Sequence, residues 1–202
     1  MRDRHTLGRM GLLFFCISAG GSLLFFCSQV YAPVFLKTVL KLDPVLVGWI
    51  TLPATLCLFP LTYACGALSD RLGRRPVVLA GLLLGCTSIL PVYMGLQEFV
   101  TQPGLLFGLL LILVLAVALM TGPQTAMLSE LFTARTRYTA VGLPHNLAAG
   151  WIGGLSPYMV ALIAEKSGSA LIGLYYPVAL LLIALLTGYF FLPETQGADL
   201  NS

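Results

Sequence analysis

The sequence predicts an all-α integral membrane protein with six transmembrane helices, and three observations support that class. Of the 202 residues, 58% are hydrophobic and only 9% are charged, with a mean hydropathy of +0.92, which exceeds what a soluble core of this size needs. A bilayer core of about 30 Å takes roughly 20 helical residues to cross. The chain has apolar runs of that length at residues 10–36, 45–69, 77–96, 105–128, 138–163 and 170–192. Charged side chains lie between these runs or at their ends, which avoids the cost of a charge in hydrocarbon.

Each run has features of a spanning helix. The first follows a basic tail, but it is too long for a signal-peptide core and shows no small-residue cleavage site, so we expect a retained helix. The second contains Pro53 and Pro60, which predict a bent helix. The sixth is aliphatic, with Tyr175 and Tyr176 as expected interface anchors.

Glycine pairs four residues apart predict close helix packing in the third, fourth and fifth runs. The pairs are Gly81 with Gly85, Gly104 with Gly108, and Gly150 with Gly154.

The polarity of the connections predicts the orientation in the membrane. One side carries three lysines, Lys37, Lys41 and Lys166. The other carries eight arginines, Arg2, Arg4, Arg9, Arg71, Arg74, Arg75, Arg135 and Arg137. Because basic residues stay on the cytoplasmic side, we expect residues 1–9 and 193–202 to be cytoplasmic tails and residues 10–192 to be a six-helix domain in the inner membrane.

Several classes of function are not predicted. We find no Ser/His/Asp arrangement, metal-ligand spacing or phosphate-binding glycine loop, so we expect neither an enzyme nor a cofactor. The five cysteines all lie in apolar runs without a CxxC pair, which indicates packing residues. The arginines are split among membrane-flanking sites, which disfavours nucleic-acid binding.

The most specific motif joins the second and third runs at residues 66–76. The pattern Gly-x-x-x-Asp-Arg-x-Gly-Arg-Arg is complete there, in a connection expected to be a short hairpin. Its positions are Gly66, Asp70, Arg71, Gly73, Arg74 and Arg75. This stretch resembles the signature loop of the major facilitator superfamily of secondary transporters.

Two further stretches are similar to families within that superfamily. Residues 130–140 place Glu130 before Arg135 and Arg137, as in the metabolite:proton symporters and the sugar porters. The Arg-Tyr-Thr run beginning at Arg137 looks more like the symporters, although these usually have proline where Thr133 stands. The ending Pro-Glu-Thr-x-Gly at 193–197 resembles the exit of the last helix in both families.

The resemblance implies a C-terminal half-bundle built as a 3+3 repeat. It implies secondary active transport of a small organic solute with protons by alternating access, together with an N-terminal six-helix half as partner. The solute class stays open among carboxylates, amino acids and betaine-like molecules. Two alternatives remain: a sugar-porter-type half, and a non-transporting six-helix subunit or remnant.

The resemblance also implies a cytoplasmic latch that breaks and reforms during transport. Asp70 is expected to accept hydrogen bonds from the amides that begin the fifth helix, near Tyr138 and Thr139. Arg74 or Arg75 is expected to pair with Glu130, and Glu194 to join through the tail. The candidate latch residues are Gly66, Asp70, Arg71, Gly73, Arg74, Arg75, Glu130, Arg135, Arg137 and Glu194.

Polar side chains inside the runs are candidates for a solute cavity, because unsatisfied polar groups are costly in lipid. They are Gln29, Tyr31, Gln124, His145, Asn146 and Trp151. Each either faces a cavity or bonds a neighbouring helix. For His145 the two readings are a proton relay and a structural hydrogen bond. Asn146 is the better solute ligand, because an amide both donates and accepts.

Overall fold

The computed structural model of the chain describes residues 11, 13–130, 142 and 145–194. They form six helices long and apolar enough to cross a membrane, and no β-strand occurs among them. The first helix, α1, runs through four consecutive segments, Leu13–Ala19, Gly20–Phe25, Phe26–Tyr31 and Ala32–Thr38, of which the first and third are π-helical. The others are α2 (Pro44–Leu72), α3 (Arg74–Glu98), α4 (Pro103–Glu130), α5 (His145–Ser167) and α6 (Ala170–Phe191).

The predicted fold class is confirmed, and the short hairpin expected at residues 66–76 is tighter than the predicted spans implied. Residues 66–76 are helical except for Gly73, because α2 continues to Leu72 and α3 begins at Arg74. Continuing both helices satisfies backbone groups that a loop would leave open, while long charged side chains still reach polar surroundings. The signature motif is therefore two helix ends joined at one residue.

Local signals explain where some helices begin and end. Asp43 caps α2, because its carboxylate accepts the backbone N–H groups of Val45 (3.1 Å) and Leu46 (3.2 Å). Pro44 follows at the first helical position, where its missing N–H does no harm. In the second half of the chain, α5 ends at Ser167, and Gly168 caps it in a left-handed conformation.

The helices pack as two interleaved units of three, α1–α3 and α4–α6. Helix α4 of the second unit packs against α2 and α3 of the first, and α1 packs in the equivalent way against α5 and α6. Helices α3 and α6, which end the two units, also contact each other. This exchange of contacts between equivalent helices is the 3+3 arrangement expected for a half-bundle.

The core is centred on α1, whose side chains include the fully buried Ile17, Leu23 and Phe35. The hydroxyl of Tyr93 on α3 donates to the carbonyl of Cys27 at 2.6 Å, which satisfies a polar atom that would otherwise be costly in an apolar core. This hydrogen bond fixes α1 against α3.

The glycine pairs divide into packed and open positions. Close contacts surround Gly81 and Gly85: an added Cβ would meet Leu119 at 3.0 Å or Leu24 at 2.2 Å, respectively. Nothing lies within 4 Å of the Cβ position at Gly104, Gly108 or Gly150. The predicted packing role is therefore confirmed for Gly81 and Gly85. At Gly104, Gly108 and Gly150 no neighbouring helix in the described part of the chain packs against the glycine.

Candidate functional site

Four charged residues meet where α2, α3 and α4 come together, and we call Asp70, Arg74, Glu130 and Glu194 the charge cluster. Arg74 is at its centre: its guanidinium bonds the carboxylate of Asp70 and donates through Nη2 to Glu130 at 3.2 Å. The side chains of Arg74 and Glu130 are each 13% exposed, whereas that of Asp70 is 62% exposed. Arg74 thus joins the end of α4 to the end of α2.

Ser69 supports the position of the Arg74 guanidinium. Its buried hydroxyl accepts a hydrogen bond from Nη1 of Arg74 at 2.8 Å and donates to the carbonyl of Gly66 at 2.7 Å. The hydroxyl therefore anchors the guanidinium to the backbone of α2.

Glu194 binds the exposed amides at the start of α3. Its two carboxylate oxygens accept the backbone N–H groups of Arg74 (2.8 Å) and Arg75 (3.1 Å). A helix N-terminus carries about half a positive charge, so a carboxylate is stabilised there. The segment after α6 is thereby tied to the α2–α3 junction.

Gly73 is required by both conformation and space. Its φ of 104° and ψ of 153° lie where side chains other than hydrogen are strained. A Cβ at this position would also lie 2.6 Å from Oε2 of Glu194. The glycine therefore allows the carboxylate to approach the first amides of α3.

Gly66 lies inside α2, where it permits a close crossing with α4. A Cβ built on Gly122 of α4 would meet the backbone N of Gly66 at 2.7 Å and the carbonyl O of Thr62 at 2.9 Å. The hydroxyls of Thr62 and Thr121 lie 3.4 Å apart beside this crossing. The crossing brings the ends of α2 and α4 near enough for Arg74 to reach Glu130.

The remaining latch candidates are placed differently. Arg75 donates from Nη2 to the carbonyl of Tyr189 on α6 at 2.6 Å, and Arg71 is exposed. The expected partners of Asp70 near Tyr138, and also Arg135 and Arg137, lie outside the described residues. The structure thus joins Arg74 with Glu130 and Glu194, and the latch role itself stays a prediction.

One cavity candidate, Gln29, lies in an open cleft between α1, α2 and α4. Its amide oxygen accepts from the hydroxyl of Thr55 at 2.7 Å, and its amide nitrogen donates to Ser28 at 3.1 Å. The cleft is open at the surface and has room for about one water molecule, and Thr51 also lines it. The Gln29 side chain therefore both bonds a neighbouring helix and lines a cleft.

Gln124 and His145 lie against the other end of α1. The Gln124 amide oxygen lies 3.3 Å from the Cβ position of Gly21, and Nδ1 of His145 lies 3.1 Å from the hydroxyl of Ser18. Ser18 and Gln29 are separated along α1 by about 16 Å at 1.5 Å per residue. The polar candidates therefore lie beside α1 at two positions along its length, one near Ser18 and the other at Gln29.

The last two candidates on α5 are both exposed, whereas Tyr31 on α1 is buried. Asn146 donates to the carbonyl of Gly142 at 2.8 Å, and Trp151 is 69% exposed. Only 4% of Tyr31 is exposed, and its ring packs 5.6 Å from that of Tyr93, so it contacts a neighbouring helix. An aromatic ring has enough apolar surface to join the core despite its hydroxyl. The role of Tyr31 in a solute cavity stays a prediction.

Sequence reasoning missed Ser18, Thr55 and Gly122 as site residues. A hydroxyl or a glycine in an apolar run is a weak signal, since either is common at helix contacts in membranes. Gly122 carried one usable hint: it falls in the polar stretch from Thr121 to Thr125 at the end of an otherwise apolar helix. Within the part of the chain that the structure describes, no group of His, Cys, Asp or Glu side chains could hold a metal ion.

Comparison with known proteins agrees with this architecture. The Proline/betaine transporter of Salmonella typhimurium is 32% identical over 123 residues, which cover 61% of this chain and 24% of the relative. The Alpha-ketoglutarate permease of Escherichia coli is 27% identical over 183 residues, covering 91% and 42%. The Citrate-proton symporter of Klebsiella pneumoniae is 32% identical over 146 residues, covering 71% and 32%. No solved structure matches the chain significantly.

The chain thus spans between 24% and 42% of the length of these curated relatives. Residues 6–202 match the family described as Sugar (and other) transporter. This match covers nearly the whole chain and agrees with the six helices, the 3+3 contacts and the motif at the α2–α3 junction. The chain therefore belongs to the Sugar (and other) transporter family, within the major facilitator superfamily.

Proposed function

We propose that this chain acts as the C-terminal half of a twelve-helix transporter that moves a small organic solute together with protons by alternating access. Its partner is an N-terminal six-helix half. The chain has both ends in the cytoplasm and lies in the inner membrane. The family supports the transport function. The relatives support the assignment to one half, because this chain matches only 24% to 42% of their length.

The observation that carries the proposal is the exposed face of α2 and α5. These are the least buried spans: in the most apolar 18 residues of each, only 17% of α2 and 22% of α5 is buried inside the bundle. Tyr63, Trp151 and Tyr158 are exposed by 82%, 69% and 63%. Each lies within about 8 Å of the middle of its helix at 1.5 Å per residue.

Polar-tipped rings at this depth do not suit a lipid surface. Tyrosine and tryptophan belong at the membrane interfaces, and a hydroxyl without a partner in an apolar medium costs about 1–3 kcal/mol in proteins. Neither the Tyr63 nor the Tyr158 hydroxyl has a hydrogen-bond partner among the described residues. A water-filled solute path, or another protein surface packed against this face, provides hydrogen-bond partners for these two hydroxyls.

Helices α3 and α6 provide the contrast within the same bundle. Near their middles, the large exposed side chains are the aliphatic Leu83, Leu182 and Ile183. Such side chains suit contact with lipid. The two kinds of surface therefore support a bundle with α3 and α6 toward lipid, and with α2 and α5 toward the partner half and the solute.

The charge cluster suits a latch that opens during transport. Exposed ion pairs contribute about 0–1 kcal/mol each, and the Asp70 carboxylate is largely exposed. The Arg74–Glu130 pair is more buried and joins two helix ends that move if the halves rock. Breaking such contacts on each cycle is energetically feasible, since none is a fully buried pair.

The solute class is proposed from the relatives. The molecules in their names, proline, betaine, alpha-ketoglutarate and citrate, share a carboxylate group. The described acids lie outside the helices or within two residues of a helix end, as Asp70 and Glu165 do. A carboxylate deep in this half is therefore not the proton carrier.

The test is uptake by the complete polypeptide that contains this chain, expressed in a bacterial strain without its own uptake systems for these solutes. We expect accumulation of radiolabelled proline, glycine betaine, 2-oxoglutarate or citrate that rises with an inward pH gradient and is abolished by a protonophore. Accumulation of glucose or xylose alone would favour a sugar porter. No uptake of any of them, with the protein present in the membrane, would favour a non-transporting subunit.

A further inference from the structure

A histidine and a serine connect α5 to α1 inside the helical bundle. Nδ1 of His145 lies 3.1 Å from the hydroxyl oxygen of Ser18, and the imidazole is half-buried. Further along the same interface, a Cβ at Gly153 would lie 2.6 Å from the Cβ of Ser22. The two helices therefore pack closely beside the imidazole, which restricts its position.

Both members of this pair lie next to π-helical segments. Ser18 lies in the segment Leu13–Ala19, and His145 precedes the segment Ala148–Gly153. Wider turns of this kind occur often at functional sites, because they break the regular hydrogen-bond ladder. The pair is thus placed where the backbone departs from a plain α-helix.

A serine hydroxyl is compatible with both charge states of a histidine. When the imidazole is neutral with its proton on Nε2, the Ser18 hydroxyl donates to Nδ1. When the imidazole is protonated on both nitrogens, Nδ1–H donates to the Ser18 oxygen instead. The contact between α1 and α5 persists in both states, and only the direction of the hydrogen bond reverses.

Among the residues that the structure describes, few other titratable groups face this part of α5. The helices packed against it are α1 and α6. Helix α1 carries Cys16, which is buried against Gly188 of α6, and α6 carries the exposed Tyr189. Further out, at the end of α4, Glu130 is paired with Arg74. Among the described side chains of α1 and α6 beside this part of α5, none is a carboxylic acid or a base.

We propose that His145 is the coupling-proton carrier of this half and that Ser18 positions its imidazole. The proton comes from water on the side where the path is open and forms the Nδ1–H bond, while Ser18 turns from donor to acceptor. On the other side of the membrane that N–H bond breaks, the proton returns to water, and Ser18 donates again. One proton enters and one leaves in each cycle.

The charge of the imidazolium explains why proton and solute move together. A lone cation in a membrane-spanning bundle is costly, and the described residues place no acid at this depth on α1, α5 or α6. A solute carboxylate beside His145 compensates the charge, so each ligand favours binding of the other by the same factor. The exposed amide of Asn146 adjoins this position.

This assignment rests on the proposed function, and the experiment separates the two. The complete polypeptide in proteoliposomes is assayed for uphill uptake driven by a pH gradient and for counterflow, in which labelled solute exchanges for unlabelled solute without net proton movement. The probes are labelled proline and 2-oxoglutarate. His145→Gln should lower uphill uptake by about tenfold or more, a size typical of coupling between two ligands. Counterflow should stay near the wild-type rate and lose its dependence on pH between about 5 and 8.

Matched variants test whether the effect is specific. His5→Gln replaces the chain's other histidine and should change neither assay. Ser18→Ala should move the pH midpoint of uptake, whereas Thr87→Val, which removes a hydroxyl bonded within α3, should not. An unmoved midpoint in Ser18→Ala would show that Ser18 does not position the imidazole.

Two outcomes with His145→Gln would overturn the assignment while leaving transport established. One is uphill uptake equal to that of the wild type. The other is loss of both uptake and counterflow in a variant that remains monodisperse in detergent, since His145 would then serve binding or conformational change. Absence of uptake and counterflow in the wild type would instead overturn the proposed function.

Discussion

Replacing Gly122 by alanine should force α2 and α4 apart. The new methyl group would lie 2.7–3.0 Å from backbone atoms of Gly66, Thr62 and Cys65. Backbone atoms within a helix cannot move aside as the end of a flexible side chain can, so the whole crossing must open. Because α2 and α4 carry Asp70 and Glu130, the same displacement also disturbs the charge cluster.

The magnitude follows from overpacking. Forcing an extra methyl group into a well-packed contact costs about 1–3 kcal/mol. For a chain of this size, 1 kcal/mol shifts the melting temperature by about 2–4 °C, so we expect Gly122→Ala to lower it by about 2–12 °C. Alanine's better helix propensity offsets about 0.5–1 kcal/mol of this cost. Gly108→Ala shares that gain, so about 2–12 °C is the expected difference between the two variants.

The measurement is thermal unfolding of the purified protein in detergent, with Gly108→Ala as the matched control. Gly108 lies on the same helix, and nothing lies within 4 Å of its Cβ position. Its replacement should be neutral or raise the melting temperature slightly. If Gly122→Ala melted at the same temperature as Gly108→Ala, the close crossing of α2 and α4 would be refuted.

Three further changes test the charge cluster. Gly73→Ala should destabilise by about 1–3 kcal/mol, because its φ is positive and Glu194 occupies the space; thermal unfolding equal to that of Gly104→Ala would contradict this. Glu194→Gln should lower the free energy of unfolding by about 0.3–1 kcal/mol at low salt and by less at high salt, because it removes negative charge from the start of α3. A loss of stability that does not depend on salt would argue against the helix-terminus interaction. Asp70→Asn should leave expression and melting temperature nearly unchanged, since the carboxylate is largely exposed, while transport by the complete polypeptide falls. Normal transport rates in Asp70→Asn would rule out its role as a latch.

The fold was largely predictable because its signals are local. Apolar length alone identifies spans, and the arginine motif at 66–76 indicates the family without any knowledge of packing. Errors of a few residues at helix ends still changed the interpretation of that motif. Arg74 and Arg75 were expected in the connection before the third span, but they begin α3, where their amides bind Glu194.

The candidate site was only partly predictable, because it depends on how each helix is rotated about its own axis. In a soluble helix, the polar face reveals that rotation. In a membrane, the lipid and the protein core are both apolar, so the sequence of a spanning helix does not distinguish them. The sequence therefore left open whether Tyr31 faces a cavity or bonds a neighbouring helix, and the structure packs it against Tyr93 in the core.

By itself the sequence determined the membrane class, the six helices, the family motif and the set of polar residues available to a solute path. Only the tertiary structure decided which of these residues meet. Arg74 reaches Glu130 because α2 crosses α4 closely at Gly122, and His145 meets Ser18 because α5 packs along α1. The physical reason is that length and composition are summed along one helix, whereas a contact depends on the rotation and distance of two helices.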